Sequence, residues 1–366
     1  MKFKKLFFIQ ILVIILLLFP LFSTLVNADE SENGNSSSTE TQGENTEDEK
    51  ELNIYGKSCI LIERSTGRVA YEKNADERIY PASTTKLLTA IIALEHCDLN
   101  DVVTITYEMT SQVPYNYTTA YLRVGEQVTV EELLNTLLIP SANDSGFALA
   151  IHISGSVDEF AKLMNEKAAE IGCTNSNFTN PCGVHDPNHY STARDMSKIG
   201  IYAMNYPQIA SIVCKTSYTL HENQRNARSF ENTNTLILPD SKTYYEFSNG
   251  MKTGFTDQAG ACLVATAKKE NMEFLAVIIG CPEPSHGISY RDLDAKTLFE
   301  YGFENYDEIT KVDPPSFDFL KDIFNNNNLI TLIFRICLIV LILLFGSILA
   351  SKLQTKKRNA TKNKKK

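Results

Sequence analysis

Between Pro81 and Glu95 the chain carries a helical pattern with no polar face: Leu87, Leu88, Ala90, Ile91, Ile92, Ala93 and Leu94 are apolar or small nearly all the way round. A helix of that kind cannot lie on a surface, so other elements must enclose it. The chain therefore has to build a core around this segment, which demands layers on more than one side.

The segments available for those layers fall into two kinds. Ser58 to Glu63 and Val69 to Glu72 flank the turn Ser65-Thr66-Gly67, a strand, turn, strand pattern. Near the other end, Gly250 to Phe255, Ala261 to Ala267 and Phe274 to Ile279 predict three more strands, with Lys269-Glu270-Asn271 at the second turn. Between them Val130 to Leu138, Gly146 to Ile153 and Val157 to Ile171 have helical periodicity, and Asp292 to Tyr301 predicts a closing helix. The fold class expected is α+β, a five-stranded antiparallel sheet built from both ends of the folded region and packed on a helical subdomain.

The 366 residues are 43% hydrophobic and 22% charged, which excludes collagen-like, wholly disordered and disulfide-miniprotein architectures. The net charge of -9 argues against a nucleic-acid partner, yet it sums very unlike blocks. Lys2, Lys4 and Lys5 precede an apolar run from Leu6 to Phe19 and the small-residue ending Val26-Asn27-Ala28, the plan of a signal peptide over residues 1–28. An uncleaved anchor would use the same residues. Residues 29–50 are rich in acids, Asn, Ser and Thr and predict a disordered linker. Residues 51–310 hold the folded domain, and 311–328 a short juxtamembrane segment. Leu329 to Ser351 is apolar apart from Arg335, and at about 1.5 Å per residue it is long enough for a transmembrane helix. The basic tail over 352–366 then assigns the C-terminus to the cytoplasm and the folded domain to the other side of a cell membrane.

Eight cysteines occur, Cys337 within the predicted span, and no C-x-x-C. Cysteines in apolar settings such as Ala261-Cys262-Leu263-Val264 read as small core residues, and a Cys173–Cys182 bridge remains an alternative. His185, Asp186 and His189 share one loop; they read as polar turn groups, with a metal site as the competing reading.

Ser83-Thr84-Thr85-Lys86 is the one S-x-x-K in the chain and opens the buried helix. Residues three apart on a helix are neighbours, so the Lys86 amine can reach the Ser83 hydroxyl. A desolvated lysine loses part of its affinity for a proton and can act as a base towards serine. A capping serine beside a surface lysine is the plainer reading of the same residues. Ser141-Ala142-Asn143 lies in a turn between helices, and Lys252-Thr253-Gly254 lies on a predicted strand, where glycine lets a substrate backbone come close.

Together, in this order and in these contexts, the three motifs resemble the low-molecular-mass penicillin-binding proteins, the D-alanyl-D-alanine carboxypeptidases of the S11 peptidase family. Tyr80 to Lys86, Pro140 to Asp144, Ser191 to Asp195 and Gly250 to Gly254 look like that family's extended blocks. The resemblance covers roughly Asn53 to Tyr306. It implies a β-lactamase/transpeptidase-like fold and a serine hydrolase without cofactor or metal, acting on peptidoglycan stem peptides and acylated by β-lactam antibiotics. Ser83 would be the nucleophile, Lys86 the general base and Ser141 a proton relay. Asn143, Lys252, Thr253, Gly254 and Phe255 would bind substrate, with the backbone N–H groups of Ser83 and Phe255 as oxyanion hole. Arg291 would assist Lys252 with the terminal carboxylate, or else form a surface ion pair. The family's second, β-rich domain is expected to be missing.

Two readings compete. A class A-like β-lactamase would carry S-D-N and an E-x-x-L-N segment, and neither is in the sequence. A membrane β-lactam sensor would need an effector beyond the span, where only the short basic tail follows. A wall-binding protein with a dead site conflicts with three intact motifs.

Overall fold

The computed structural model describes residues 52–221, 224–284 and 288–311. The elements run β1 (Ser58–Glu63), β2 (Val69–Lys73), a 3-10 turn (Ala82–Thr85), α1 (Lys86–His96), β3 (Val102–Thr104), α2 (Tyr107–Ser111), β4 (Gln127–Thr129), α3 (Val130–Leu138), α4 (Asn143–Ser154), α5 (Val157–Ile171), α6 (Ala193–Ala203), α7 (Pro207–Val213), β5 (Ser217–Leu220) and β6 (Arg228–Glu231). They continue through β7 (Ser248–Thr256), β8 (Gly260–Lys269) and β9 (Met272–Cys281) to α8 (Tyr290–Glu304) and α9 (Tyr306–Thr310).

Five strands form one antiparallel sheet in the order β2-β1-β9-β8-β7. The first and last parts of the folded region thus meet at the β1–β9 pair, as the sequence predicted. Strand alternation sorts the side chains of this sheet onto two faces. On β9, Leu275, Val277 and Ile279 join the larger core with the helices, whereas Phe274, Ala276 and Ile278 join a smaller core beneath α8. Such a sheet is covered on both faces, which is why its central strands read as nearly continuous apolar runs.

Helix α1 is buried from Lys86 through Ala93, enclosed by α3, α4, α5 and α6. Local signals set the neighbouring helix ends. A Thr129–Glu132 capping box starts α3, and left-handed Gly155 and Gly172 end α4 and α5. The short β3–β4 and β5–β6 pairs, and helices α2, α6 and α7, add to the elements expected from the sequence.

No described helix is long and apolar enough to cross a membrane. The predicted signal peptide, acidic linker, juxtamembrane segment from 312, transmembrane helix and basic tail lie outside the described residues.

Candidate active site

Ser83 lies not in the α-helix itself but in the 3-10 segment directly ahead of α1. That geometry has three residues per turn, so positions three apart eclipse each other. Lys86 is therefore carried directly over Ser83, and its Nζ lies 2.9 Å from Ser83 Oγ. The turn is entered through Ala82, a non-glycine residue at φ 46. A loop closes beneath it: a Cβ on Gly183 would fall 1.8 Å from the Ala82 carbonyl oxygen.

Lys86 is wholly buried, and burial brings its pKa from the usual 10.5 down to about 8, opposed by the neighbouring Cys182 and Asp144. Besides Ser83, its Nζ meets Asn143 Oδ1 at 2.9 Å, the Cys182 carbonyl at 3.3 Å and Ser141 Oγ at 3.4 Å. Two of these neighbours can only accept. A neutral amine would commit its two N–H groups to Asn143 and Cys182, leaving its lone pair for the Ser83 or Ser141 hydroxyl.

The S-x-N segment is fixed from behind. Ser141 has φ 67 and Ala142 is extended, which turns the chain sharply into α4. Asn143 donates from Nδ2 to the Thr118 carbonyl at 2.9 Å, and this settles which end of its amide faces Lys86. Asp144 accepts from the amides of Ala120 and Leu122 at 2.8 and 3.0 Å, so α4 pins the strip that carries Asn116, Tyr117 and Thr118. Burial raises the Asp144 pKa, against these backbone donors.

On β7 the side chains divide. Thr253 Oγ1 lies 2.6 Å from Thr233 Oγ1, and both line a cavity of about 630 Å³ together with Ser83, Ser141, Asn143, Gly254, Phe255 and Arg291. Lys252 is wholly buried behind them; its Nζ donates to the Thr253 carbonyl at 3.0 Å, and it is not among the lining residues. Burial, then the Lys86 and Arg291 charges, hold its pKa well below the usual value. Arg291, at the start of α8, reaches over the strand to donate to the Gly254 carbonyl at 3.1 Å. It lines the cavity, and its ion pair, with Asp292 at 3.7 Å, is to a buried carboxylate and not at the surface. Gly254 makes room for a close approach, but by the chain itself: a Cβ there would lie 2.9 Å from the Ser83 amide nitrogen.

The histidine loop separates into two roles. His189 is buried, its pKa lowered to about 4 chiefly by desolvation. It accepts from the Thr179 amide at Nδ1, so the proton sits on Nε2, facing Thr85 Oγ1 at 2.9 Å. His185 instead lines the cavity, edge-on to Tyr80 with ring centroids 4.8 Å apart. No group of three or more His, Cys, Asp or Glu able to hold a metal ion occurs among the described residues. Cys173 and Cys182 are both free, so the alternative bridge does not form.

Sequence reasoning did not single out Asn116, Tyr117, Thr118, Thr233 or His185 as lining the cavity. His185 stood out only as a loop histidine, and Thr233 left a signal in its flanking asparagines: Asn232 and Asn234 accept from the amides two residues on, at 2.9 and 3.1 Å, and fix the turn that presents it.

The family model for D-alanyl-D-alanine carboxypeptidases, peptidase S11, matches residues 44–283. The chain belongs to the peptidase S11 family. Among curated S11 relatives, the D-alanyl-D-alanine carboxypeptidase DacF of Bacillus subtilis is 37% identical over 259 residues, covering 70% of this chain and 64% of the relative. DacA of Haemophilus influenzae is 33% identical over 261 residues, 69% of this chain and 63% of that one. The chain thus spans just under two thirds of the length of these curated relatives. The crystal structure of the Streptomyces K15 DD-transpeptidase superposes with a TM-score of 0.64 at 30% identity, covering 69% of this chain and 98% of that one. A D-alanyl-D-alanine carboxypeptidase from Mycobacterium tuberculosis gives 0.63 at 28% identity, over 72% and 94%.

Proposed function

We propose that this S11 protein is a serine-type D-alanyl-D-alanine carboxypeptidase, which removes the terminal D-alanine of peptidoglycan stem pentapeptides through an acyl-enzyme on Ser83. The observation that carries the reading is the 2.9 Å contact between Ser83 Oγ and a wholly buried Lys86 at the floor of an open cavity. An amine whose pKa lies near 8 is partly neutral at working pH and can take the hydroxyl proton as Oγ attacks.

The carbonyl attacked is the one between the two D-alanines. Its oxygen turns to the N–H groups of Ser83 and Phe255, and the missing side chain of Gly254 leaves the Ser83 amide unobstructed. As the C–N bond breaks, Lys86 returns the proton to the leaving amine, with Ser141 as relay 3.4 Å away. D-Alanine departs, and water hydrolyses the ester to regenerate Ser83. Thr253, Thr233 and Arg291 receive the terminal carboxylate, with Lys252 buried behind them. A β-lactam is attacked in the same way, but its ring opening releases no fragment, so the adduct persists.

The proposal extends to location: an export signal, acidic linker, single transmembrane helix and basic tail would put this chemistry outside a cell membrane with a cytoplasmic C-terminus. The support is the charge and hydropathy pattern at the two ends of the sequence.

The test is incubation of the purified full-length chain with Nα,Nε-diacetyl-Lys-D-Ala-D-Ala and with a labelled penicillin. Release of D-alanine and a covalent penicillin adduct are expected, both lost in Ser83→Ala. No release by wild type, or an adduct that survives Ser83→Ala, overturns the proposal. For topology, a C-terminal tag should resist external protease in intact cells, and its digestion there would refute the orientation.

A further inference from the structure

Asp257 is the one carboxylate among the described residues lining the cavity. It is exposed, and it makes no hydrogen bond or ion pair with any described residue. The other charged side chain on the lining, Arg291, lies back along β7, where it holds the Gly254 carbonyl. The lining therefore carries a guanidinium that already has a carboxylate neighbour, Asp292 at 3.7 Å, and a carboxylate, Asp257, that has no cationic one among the described residues.

Asp257 is also well placed relative to β7. That strand ends the sheet order, so its outer edge is open to an added extended peptide. Thr253, Gly254, Phe255 and Thr256 of β7 line the cavity, and so does Asp257, the first residue past the strand end. The turn carrying Asp257 is tight: β7 and β8 pair as far as Thr256 and Gly260, and Thr256 Oγ1 accepts from the Ala259 amide at 3.1 Å.

We infer that Asp257 is a specificity-determining residue whose carboxylate receives the side-chain ammonium of the residue two before the C-terminal D-alanine. The inference rests on the carboxypeptidase reading above, which puts the terminal carboxylate beside Thr253 and Arg291 and the scissile carbonyl beside Phe255. From there an extended peptide rises about 3.3 Å per residue, and its next residue comes level with the turn after Thr256. A four-carbon side chain ending in an amine then meets Asp257. The ligand class is a stem peptide whose third residue keeps its amine free.

The experiment compares kcat/KM of the full-length chain for Nα-acetyl-Lys-D-Ala-D-Ala and Nα,Nε-diacetyl-Lys-D-Ala-D-Ala, which differ by the Nε-acetyl group that removes that charge. For a partly solvated ion pair the free-amine peptide is favoured about three- to fivefold at low salt, and the ratio falls towards one as salt rises. In Asp257→Asn the ratio drops to one, and in Asp257→Lys it falls below one. A wild-type ratio of one overturns the inference, as does a ratio that persists in Asp257→Asn. Release of D-alanine from neither peptide is a different result, which overturns the carboxypeptidase reading and this inference with it.

Discussion

The backbone of Gly254 and the amide nitrogen of Ser83 face each other so closely that a methyl group on the glycine would stand 2.9 Å from that nitrogen. The contact joins the K-T-G strand to the S-x-x-K turn, two segments far apart in sequence. It has a direct consequence for catalysis, because the Ser83 amide is one of the two N–H groups assigned to the developing oxyanion. Gly254→Ala should displace it and lower the penicillin acylation rate at least about 100-fold, as loss of an oxyanion donor does elsewhere. Acylation within threefold of wild type would separate this contact from catalysis.

Gly183→Ala tests the support below the same turn. The added Cβ would meet the Ala82 carbonyl at 1.8 Å, at a residue whose φ of +75 already disfavours a side chain. Backbone must move, at a cost of about 2–3 kcal/mol. For a domain of this size Tm should fall by about 5–10 °C, measured by thermal melting, and acylation should weaken because Ala82 precedes the nucleophile.

The rate should depend on pH with a definite sign. Protonated Lys86 cannot accept the Ser83 proton, and its pKa is about 8. Penicillin acylation should therefore rise about tenfold per pH unit below that value and level off above it. A rate constant from pH 6 to 9 would remove Lys86 as the titrating base.

Asn143→Asp moves that midpoint. It puts a carboxylate at the position now 2.9 Å from Lys86 Nζ, and an opposite charge so close stabilises the ammonium by about one to three pKa units. The acylation profile should shift upward by that amount, with part of the lost rate recovered at high pH. A lower plateau with an unmoved midpoint would show that another group titrates.

Arg291→Gln separates binding from chemistry. The guanidinium lines the cavity near Thr253 but lies away from Lys86 and its contacts. KM for the peptide should rise about tenfold, the order of one charge-assisted hydrogen bond, while kcat changes less. A fall confined to kcat in steady-state measurements would contradict its placement at the carboxylate.

Much of this protein follows from its local sequence. The apolar circumference of the segment after Lys86 demanded a buried helix, and α1 is buried for that reason alone. Five strand patterns at the two ends of the folded region became one sheet, because unpaired strand edges leave backbone groups unsatisfied. The serine and lysine of S-x-x-K share a turn, so their contact is a matter of spacing. What lies across the fold was beyond such patterns. Lys252 and Thr253 are adjacent in sequence, yet strand alternation and the packing behind β7 bury the lysine and present the threonine to the cavity. Thr233, Arg291 and Asp257 reach the same cavity from a turn, a helix start and a hairpin, and no periodicity links them. Sequence determined the chemistry that neighbours along the chain can perform, because that depends on local geometry. Tertiary structure decided which distant groups surround it and how the Lys86 proton is held, because desolvation and charge depend on everything packed around a side chain.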